Sequence, residues 1–153
     1  MKRIIAIVLA AMMLVAAFAG CGGTKNADLS GILTEINTKY DLSLTEIDTT
    51  DKLNKYYGIN PEDVKQFAAE TNQNNNAAIE IVLVEAVDSD AAARVETALT
   101  TRFNSIVQQY SSYTPEKLDM VKACKVTKDG NFVSMIVADD AAGMSEVYNS
   151  SIK

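Results

Sequence analysis

The chain of 153 residues contains no histidine and no tryptophan, and it has only two cysteines. Without histidine, neither a Ser-His-Asp triad nor a Cys-His pair can form, so the commonest nucleophilic hydrolase sites are excluded. Zinc sites of the usual kind are excluded as well, because they need histidine or several cysteines. No tryptophan is present to stack on a sugar ring. These absences remove many familiar enzyme classes.

Glycine and basic side chains are also scarce. After position 31, glycine occurs only at positions 58, 130 and 143, and neither a Walker A nor a GxGxxG nucleotide-binding pattern is present. The 14 basic side chains fall to 12 when Lys2 and Arg3 are left out, against 20 acidic ones, so the rest of the chain has a net charge of −8. This charge opposes binding to nucleic acid and adsorption onto anionic lipid.

The first 21 residues have the composition of a lipoprotein signal. Basic residues at positions 2 and 3 precede an apolar run over positions 4–17, and Phe18-Ala19-Gly20 leads into Cys21. A basic segment, an apolar segment and small residues before a cleavage site are typical of a secretory signal. Small residues directly before a cysteine resemble a bacterial lipobox. We therefore predict that residues 1–20 are a signal peptide and that Cys21 carries a diacylglycerol.

Plain secretion and an uncleaved membrane anchor are the alternatives to this interpretation. The apolar stretch from Ile4 to Ala19 is shorter than the ~20 residues that usually span a bilayer. Residues 21–27 have the composition of a flexible tether, with a reach of roughly 13 Å by random-coil scaling. We expect a lipid-anchored protein held close to the outer face of the bacterial cytoplasmic membrane, with membrane lipid contacted through acylated Cys21.

Residues 28–153 are predicted to form a single α+β domain. Apolar residues recur at helical spacing from Leu29 to Tyr40, with Asp28 as N-cap, and again along a long helix from Asp88 to about Ser112. The stripe on the long helix includes Leu99 and Phe103, which are expected to face a sheet, whereas Arg102 beside them is expected to be a surface residue. A short helix, Asp51 to Tyr57, is predicted between Thr50 as cap and Gly58 as stop, and a last helix follows Asp139-Asp140.

Four strands are predicted between these helices. Ala78–Val87 has apolar residues on both faces, which indicates a central strand. Val64–Thr71 is ambiguous between helix and strand and is interpreted as a strand. Met120–Thr127 and Phe132–Ala138 are joined by Asp129-Gly130, a strong hairpin signal. The expected fold is a small antiparallel sheet with a ββαββα-like core, covered by one long helix and preceded by N-terminal helices.

Several short motifs occur in a characteristic order. They are Ala78-Ile79-Glu80-Ile81-Val82, Tyr113-Thr114-Pro115-Glu116, Lys128-Asp129-Gly130-Asn131-Phe132-Val133 and Asp139-Asp140. With the long helix between the first two, the chain resembles a bacterial lipoprotein family known as domain of unknown function four-three-five-eight, from about Leu29 to Ile152. The resemblance implies lipid anchoring. It supplies no activity and no catalytic residue.

Two side chains invite a chemical interpretation. Glu80 is an acid in an otherwise apolar strand, so it is a candidate general acid. The favoured interpretation is that it faces solvent or pairs with a cross-strand lysine such as Lys122 or Lys125. Cys124 lies between the same two lysines, which would favour a reactive thiolate. Because no histidine can act as its base, and Cys21 is taken by lipid, we expect Cys124 to be a free, half-buried small hydrophobe.

The remaining candidates are acid pairs and tyrosines. Asp88-x-Asp90 resembles the start of a calcium loop, but alanines stand where an EF-hand needs a third ligand and a glycine. Helix capping explains these acids, and it also explains Asp139-Asp140. Tyr56-Tyr57 and Tyr110-x-x-Tyr113 could line a groove, although tyrosines at helix ends more often border the core. No metal or cofactor is expected.

Two functional classes remain open. The first, which we favour, is a non-catalytic binding or interaction module of the cell envelope with a protein or peptide partner, using an edge strand or the groove between helix and sheet. The second is a small histidine-free envelope hydrolase that uses carboxylates. A pocket that holds Glu80 beside another acid would favour the hydrolase.

The anchor can be tested by Cys21→Ser. Because lipid is the only predicted membrane attachment, the variant should leave the membrane fraction or stay unprocessed, as measured by fractionation and by the mass of the protein. A variant that is processed and stays firmly membrane-bound would contradict the lipobox interpretation.

Overall fold

The computed structural model describes residues 26–72 and 79–152. The predicted signal peptide, Cys21 and most of the predicted tether lie outside the described residues, and so does the polar run 73–78. Within the two described ranges, no helix combines the length and the apolar character needed to cross a membrane.

The described residues contain five α-helices. Three of the predicted N-caps are confirmed: the backbone N–H of Gly31 donates to Asp28 at 3.1 Å, that of Ala91 to Asp88 at 2.8 Å, and that of Gly143 to Asp140 at 3.1 Å. The helices are α1 (Leu29–Tyr40), α2 (Thr50–Tyr57), α3 (Ser89–Tyr113), α4 (Leu118–Ala123) and α5 (Ala141–Ser151).

Five antiparallel strands form one sheet in the order β1-β2-β3-β5-β4. Val64–Thr71 is a strand, as interpreted from the sequence. The turn between β4 and β5 has Gly130 at φ +60°, the left-handed conformation that glycine adopts without steric cost. The strands are β1 (Thr45–Glu46), β2 (Val64–Thr71), β3 (Glu80–Ala86), β4 (Lys125–Asp129) and β5 (Phe132–Val137).

Strand β3 lies at the centre of the sheet and is buried along its whole length. On one face, Val82 and Val84 pack in a core with residues of α2, α3 and α4. On the other face, Ile81 and Leu83 pack in a second core with residues of α1 and α5. The fold is therefore α+β, as predicted, with helices on both faces of the antiparallel sheet. Each fully buried aliphatic side chain on β3 contributes about 1.5–3 kcal/mol to this packing.

Two sequence predictions about local structure are wrong. Met120–Thr127 is not one strand: residues 118–123 form helix α4, and β4 begins at Lys125. The reason is that Leu118 and Val121 lie on one face at helical spacing and pack on the core beside α3. The cap of α2 is Thr49 rather than Thr50, since the Thr49 hydroxyl accepts the N–H of Lys52 at 3.2 Å.

The packing of α3 differs in one position from the prediction. Leu99 is fully buried against the sheet, whereas Phe103 is only partly buried at the border of the same core. Ile106 and Tyr110, farther along α3, are buried, so the difference is confined to Phe103.

The two positions should therefore differ in stability. Leu99→Ala should lower the free energy of unfolding by about 2–5 kcal/mol, because it leaves a cavity in a closed core. Phe103→Ala should cost clearly less, since solvent already reaches the ring. Urea unfolding of the full chain measures both, with Gln109→Ala on the exposed face of α3 as control. Equal losses at Leu99 and Phe103 would contradict this packing.

Candidate functional site

Glu80, the candidate general acid, is buried and bound to an arginine of α3. Its carboxylate accepts two hydrogen bonds from the Arg102 guanidinium, from Nε at 3.0 Å and from Nη2. Only 8% of Glu80 is exposed, whereas the Arg102 side chain remains 36% exposed. The prediction that Glu80 faces solvent or pairs with Lys122 or Lys125 is therefore wrong, because Glu80 is buried and its partner is Arg102. The prediction of a surface role for Arg102 is also wrong.

The cause lies in the direction of the Glu80 side chain. Side chains alternate along a strand, so Glu80 shares the face of Val82 and Val84. That face is covered by α3, and β5 separates β3 from β4, the strand that carries Lys125. A carboxylate buried under a helix needs a counter-charge from that helix, and Arg102 supplies it.

A second buried carboxylate is bound to the first part of α3. Asp63, 5% exposed, accepts hydrogen bonds from Nε of Arg94 at 3.1 Å and from Nη2 at 2.5 Å. The hydrogen bond from Arg94 holds the pKa of Asp63 below its ordinary value, against the opposing effect of burial. Neither Asp63 nor Arg94 was identified from the sequence as part of a site.

The third buried carboxylate lies on the opposite face of the sheet. Glu85 is 4% exposed and accepts hydrogen bonds from Lys65 Nζ at 2.6 Å and from Gln66 Nε2. Gln66 Nε2 also donates to the backbone C=O of Ala27 at 2.8 Å, which ties the start of α1 to the sheet. Asp63, Glu80 and Glu85 are thus each paired with a basic side chain.

A groove opens beside the Glu80–Arg102 pair, between the end of α2 and the middle of α3. Burial, and then the negative charge of Glu80, raise the pKa of the Tyr57 hydroxyl, so Tyr57 stays protonated at neutral pH. Tyr56 is 48% exposed at the rim. The volume is about 410 Å³ and the lining residues are Tyr56, Tyr57, Gly58, Ala98, Thr101, Arg102 and Ser105.

This groove can bind a ligand but offers weak means of proton transfer. Its buried acid is paired with arginine and its buried phenol is held protonated. The hydroxyl of Thr101 donates to the C=O of Thr97 at 2.9 Å, and that of Ser105 donates to the C=O of Thr101 at 3.0 Å. Both hydroxyls are therefore placed as acceptors, and no base activates either of them.

A second depression, which we name the edge groove, lies where α1 passes over the β1–β2 pair. Its volume is about 360 Å³, and its lining combines apolar side chains with acidic ones. The lining residues are Ser30, Leu33, Thr34, Glu46, Ile47, Asp48, Phe67, Ala68 and Glu70.

Cys124 is a buried free thiol between α4 and β4. The prediction that it lies within a strand is therefore wrong. Its Sγ lies 3.4 Å from the C=O of Met120 and 3.6 Å from that of Ala138. Burial raises the pKa of the Cys124 thiol, so it is not an activated thiolate. With 4% exposure it is more deeply buried than the half-buried hydrophobe expected from the sequence.

The other sequence candidates lie apart from the two grooves. Asp88 and Asp140 cap helices, as predicted. Tyr110 is buried at the core, and Tyr113 is 83% exposed at the end of α3, so only the tyrosines of α2 line a groove. Over residues 26–72 and 79–152, no group of three or more cysteine, aspartate or glutamate side chains is placed to hold a metal ion.

The ion pair can be tested through stability. Arg102→Ala should cost about 3 kcal/mol, the low end for breaking a buried pair, because it leaves the Glu80 carboxylate uncompensated while a third of the arginine was already exposed. Replacing both partners, in Glu80→Leu with Arg102→Leu, should recover most of that loss. Equilibrium urea unfolding of the single and double variants measures the coupling. A near-neutral Arg102→Ala would show that the pair does not hold α3 to the sheet.

Comparison with known proteins gives a family and no further relative. Residues 38–138, about two-thirds of the chain, match the family described as Domain of unknown function (DUF4358). The match covers β1 to β5, α2, α3 and α4, and therefore includes both grooves except for most of α1. No curated protein and no solved structure matches the chain. The chain belongs to the DUF4358 family.

Proposed function

We propose that the protein is a lipid-anchored module on the outer face of the bacterial cytoplasmic membrane that binds an envelope protein or peptide and performs no chemistry. The proposal has two parts, anchoring and binding, which rest on different observations and are tested separately.

The anchoring part rests on the sequence. A basic segment, an apolar run and small residues precede Cys21, as in lipoprotein signals. A diacylglycerol on Cys21 holds a protein stably, since two acyl chains suffice where one is marginal. The domain begins only a few residues later, because the C=O of Ala27 is already hydrogen-bonded to Gln66. The binding surfaces would thus remain near the membrane.

The binding part rests on the pairing of Glu80 with Arg102. Glu80 lies beside the groove between α2 and α3, and Arg102, which lines that groove, occupies both of its carboxylate oxygens. A general acid or base needs a carboxylate that can reach the proton it transfers. The Arg102 guanidinium is hydrogen-bonded to both carboxylate oxygens and blocks that access. This arrangement supports binding over hydrolysis.

The grooves suit a partner in size and character. Cavities of about 360 and 410 Å³ fall within the range of ligand sites in proteins. One lies between two helices and the other between α1 and the edge of the sheet, and both combine apolar and polar lining. The acidic balance of the chain disfavours nucleic acid as the partner.

Photo-crosslinking in intact cells tests the binding function. A photoreactive residue replaces Thr34 at the edge groove or Tyr56 at the other groove, with Glu116 as an exposed control position outside both. We expect one groove position to give a discrete adduct with an envelope protein that the control position does not give. Identical adducts at all three positions would contradict a specific binding surface.

A direct assay addresses the hydrolase alternative. The full-length protein in detergent is incubated with cell-wall material and with envelope peptides, and products are followed by mass spectrometry. We expect no product above that of a Glu80→Gln variant. Turnover that disappears in Glu80→Gln would overturn the proposal.

A further inference from the structure

The outer edge of strand β2 is only partly covered. Strand β1 pairs with β2 at Thr45–Thr71 and Glu46–Glu70, and the N–H of Ile47 donates to the C=O of Ala69 at 2.8 Å. The chain then leaves the sheet at Asp48 to begin α2. No other strand in residues 26–72 and 79–152 continues along this edge.

The directions of the backbone N–H and C=O groups of β2 show which of them have no strand beside them. The N–H of Asn72 donates to the C=O of Ile79. The backbone N–H and C=O groups of the even-numbered residues of β2 therefore point toward β3. Ala69 faces β1, and alternate residues of a strand share a direction, so the N–H and C=O of Phe67 face outward too. No strand in the described chain pairs with them. Such groups form a template for another extended chain.

The side chains beside this open edge carry uncompensated negative charge. Glu46 and Glu70 are directly opposite each other, in a non-hydrogen-bonded position of the ladder, where side chains lie closest. Glu70 accepts one hydrogen bond, from Nδ2 of Asn37 at 2.8 Å, and the Oδ1 of Asn37 is buried without a partner. Like charges placed opposite each other destabilise a sheet.

Lys52, the basic residue nearest to Glu46 in sequence, does not neutralise this pair. Lys52 responds to the charge of Glu46, but its ammonium group is bound to Asp48 at 2.7 Å. The acceptors at the edge groove thus outnumber the donors. Leu33, Ile47, Phe67 and Ala68 add apolar side chains to the lining, and Ser30 and Thr34 add hydroxyl groups. The groove therefore combines acids and hydroxyls with a smaller apolar floor.

The other edge of the sheet differs. Strand β4 carries Lys125 and Lys128, and Lys128 lies 3.4 Å from Glu96 of α3. Lysines on an edge strand are a common protection against pairing with another chain. The edge of β2 carries Lys65 at a bulge, and its adjacent stretch, Phe67 and Ala68, has no charge. Of the two edges, β2 is the better suited to receive a strand.

We propose that the edge groove binds an extended segment of a partner protein, which adds to the β2 edge beyond β1 and places a lysine or arginine between Glu46 and Glu70. This deepens the binding function proposed above and rests on it. The backbone of the segment pairs with Phe67, one apolar side chain lies on the groove floor, and the basic side chain donates to the two carboxylates. Strand addition supplies affinity and the charge supplies selectivity.

The proposal has an unusual consequence for stability. In the free protein Glu46 and Glu70 repel each other, so removing one charge should raise the urea midpoint. The same change removes a charged acceptor, so it should weaken partner binding. A residue with a purely structural role would not produce these opposite effects.

Peptide binding to the full-length protein in detergent tests this. The probe is acetyl-Val-Lys-Val-Lys-Val-amide, with a peptide carrying norleucine in place of lysine as comparison. Glu46→Gln and Glu70→Gln should each weaken binding of the lysine peptide about tenfold or more, and Glu46→Gln should also raise the urea midpoint. Glu116→Gln removes the same charge elsewhere and should change neither.

Two outcomes would overturn the inference. They are equal binding of the norleucine peptide, and full binding by a lysine peptide whose central amide is N-methylated. Failure of the inference is distinguishable from failure of the proposed function. If no basic peptide binds while the crosslinked adduct persists, only the inference falls; if the probe is cleaved, the proposed function falls.

Discussion

The central strand β3 constrains the whole structure, because both of its faces are apolar and both must be covered. An antiparallel sheet usually exposes one face to water, but here that would expose either Val82 and Val84 or Ile81 and Leu83. The chain meets the requirement with α3 on one face and with α1 and α5 on the other. The helices on both sides of the sheet, and the grooves at their borders, are consequences of the composition of this one strand.

The same constraint separates what the sequence predicts well from what it does not. The two-sided pattern of β3, the caps Asp28, Asp88 and Asp140, and the glycine turn at Gly130 depend on nearest neighbours, and all are confirmed. Helix α4 was missed because the strand that leads into the Asp129-Gly130 hairpin was extended back to Met120. The competing helical spacing of Leu118 and Val121 prevails only when α3 is present to pack against.

The ion pairs were missed for a related reason. Glu80 was recognised as an anomaly, but its partner depends on which element covers that face of β3, and this is a tertiary property. One signal was available: only two arginines follow residue 20, Arg94 and Arg102, and both lie on the long helix. Arginine binds buried carboxylates better than lysine does, because its planar fork matches both oxygens. That preference favours Arg102 over Lys122 or Lys125 as the partner of Glu80.

The two grooves differ in how their nearby carboxylates are paired. Where carboxylates are buried in the fold, at Asp63, Glu80 and Glu85, each has its counter-charge or hydrogen-bond donor, as burial of a charge requires. At the β1–β2 pair the opposite holds: Glu46 and Glu70 face each other at a partly open position where two neutral residues would serve the fold better. Stability alone does not account for that pair. The proposed binding site would account for it, because repulsion in the free protein becomes attraction when a cation enters between the two carboxylates.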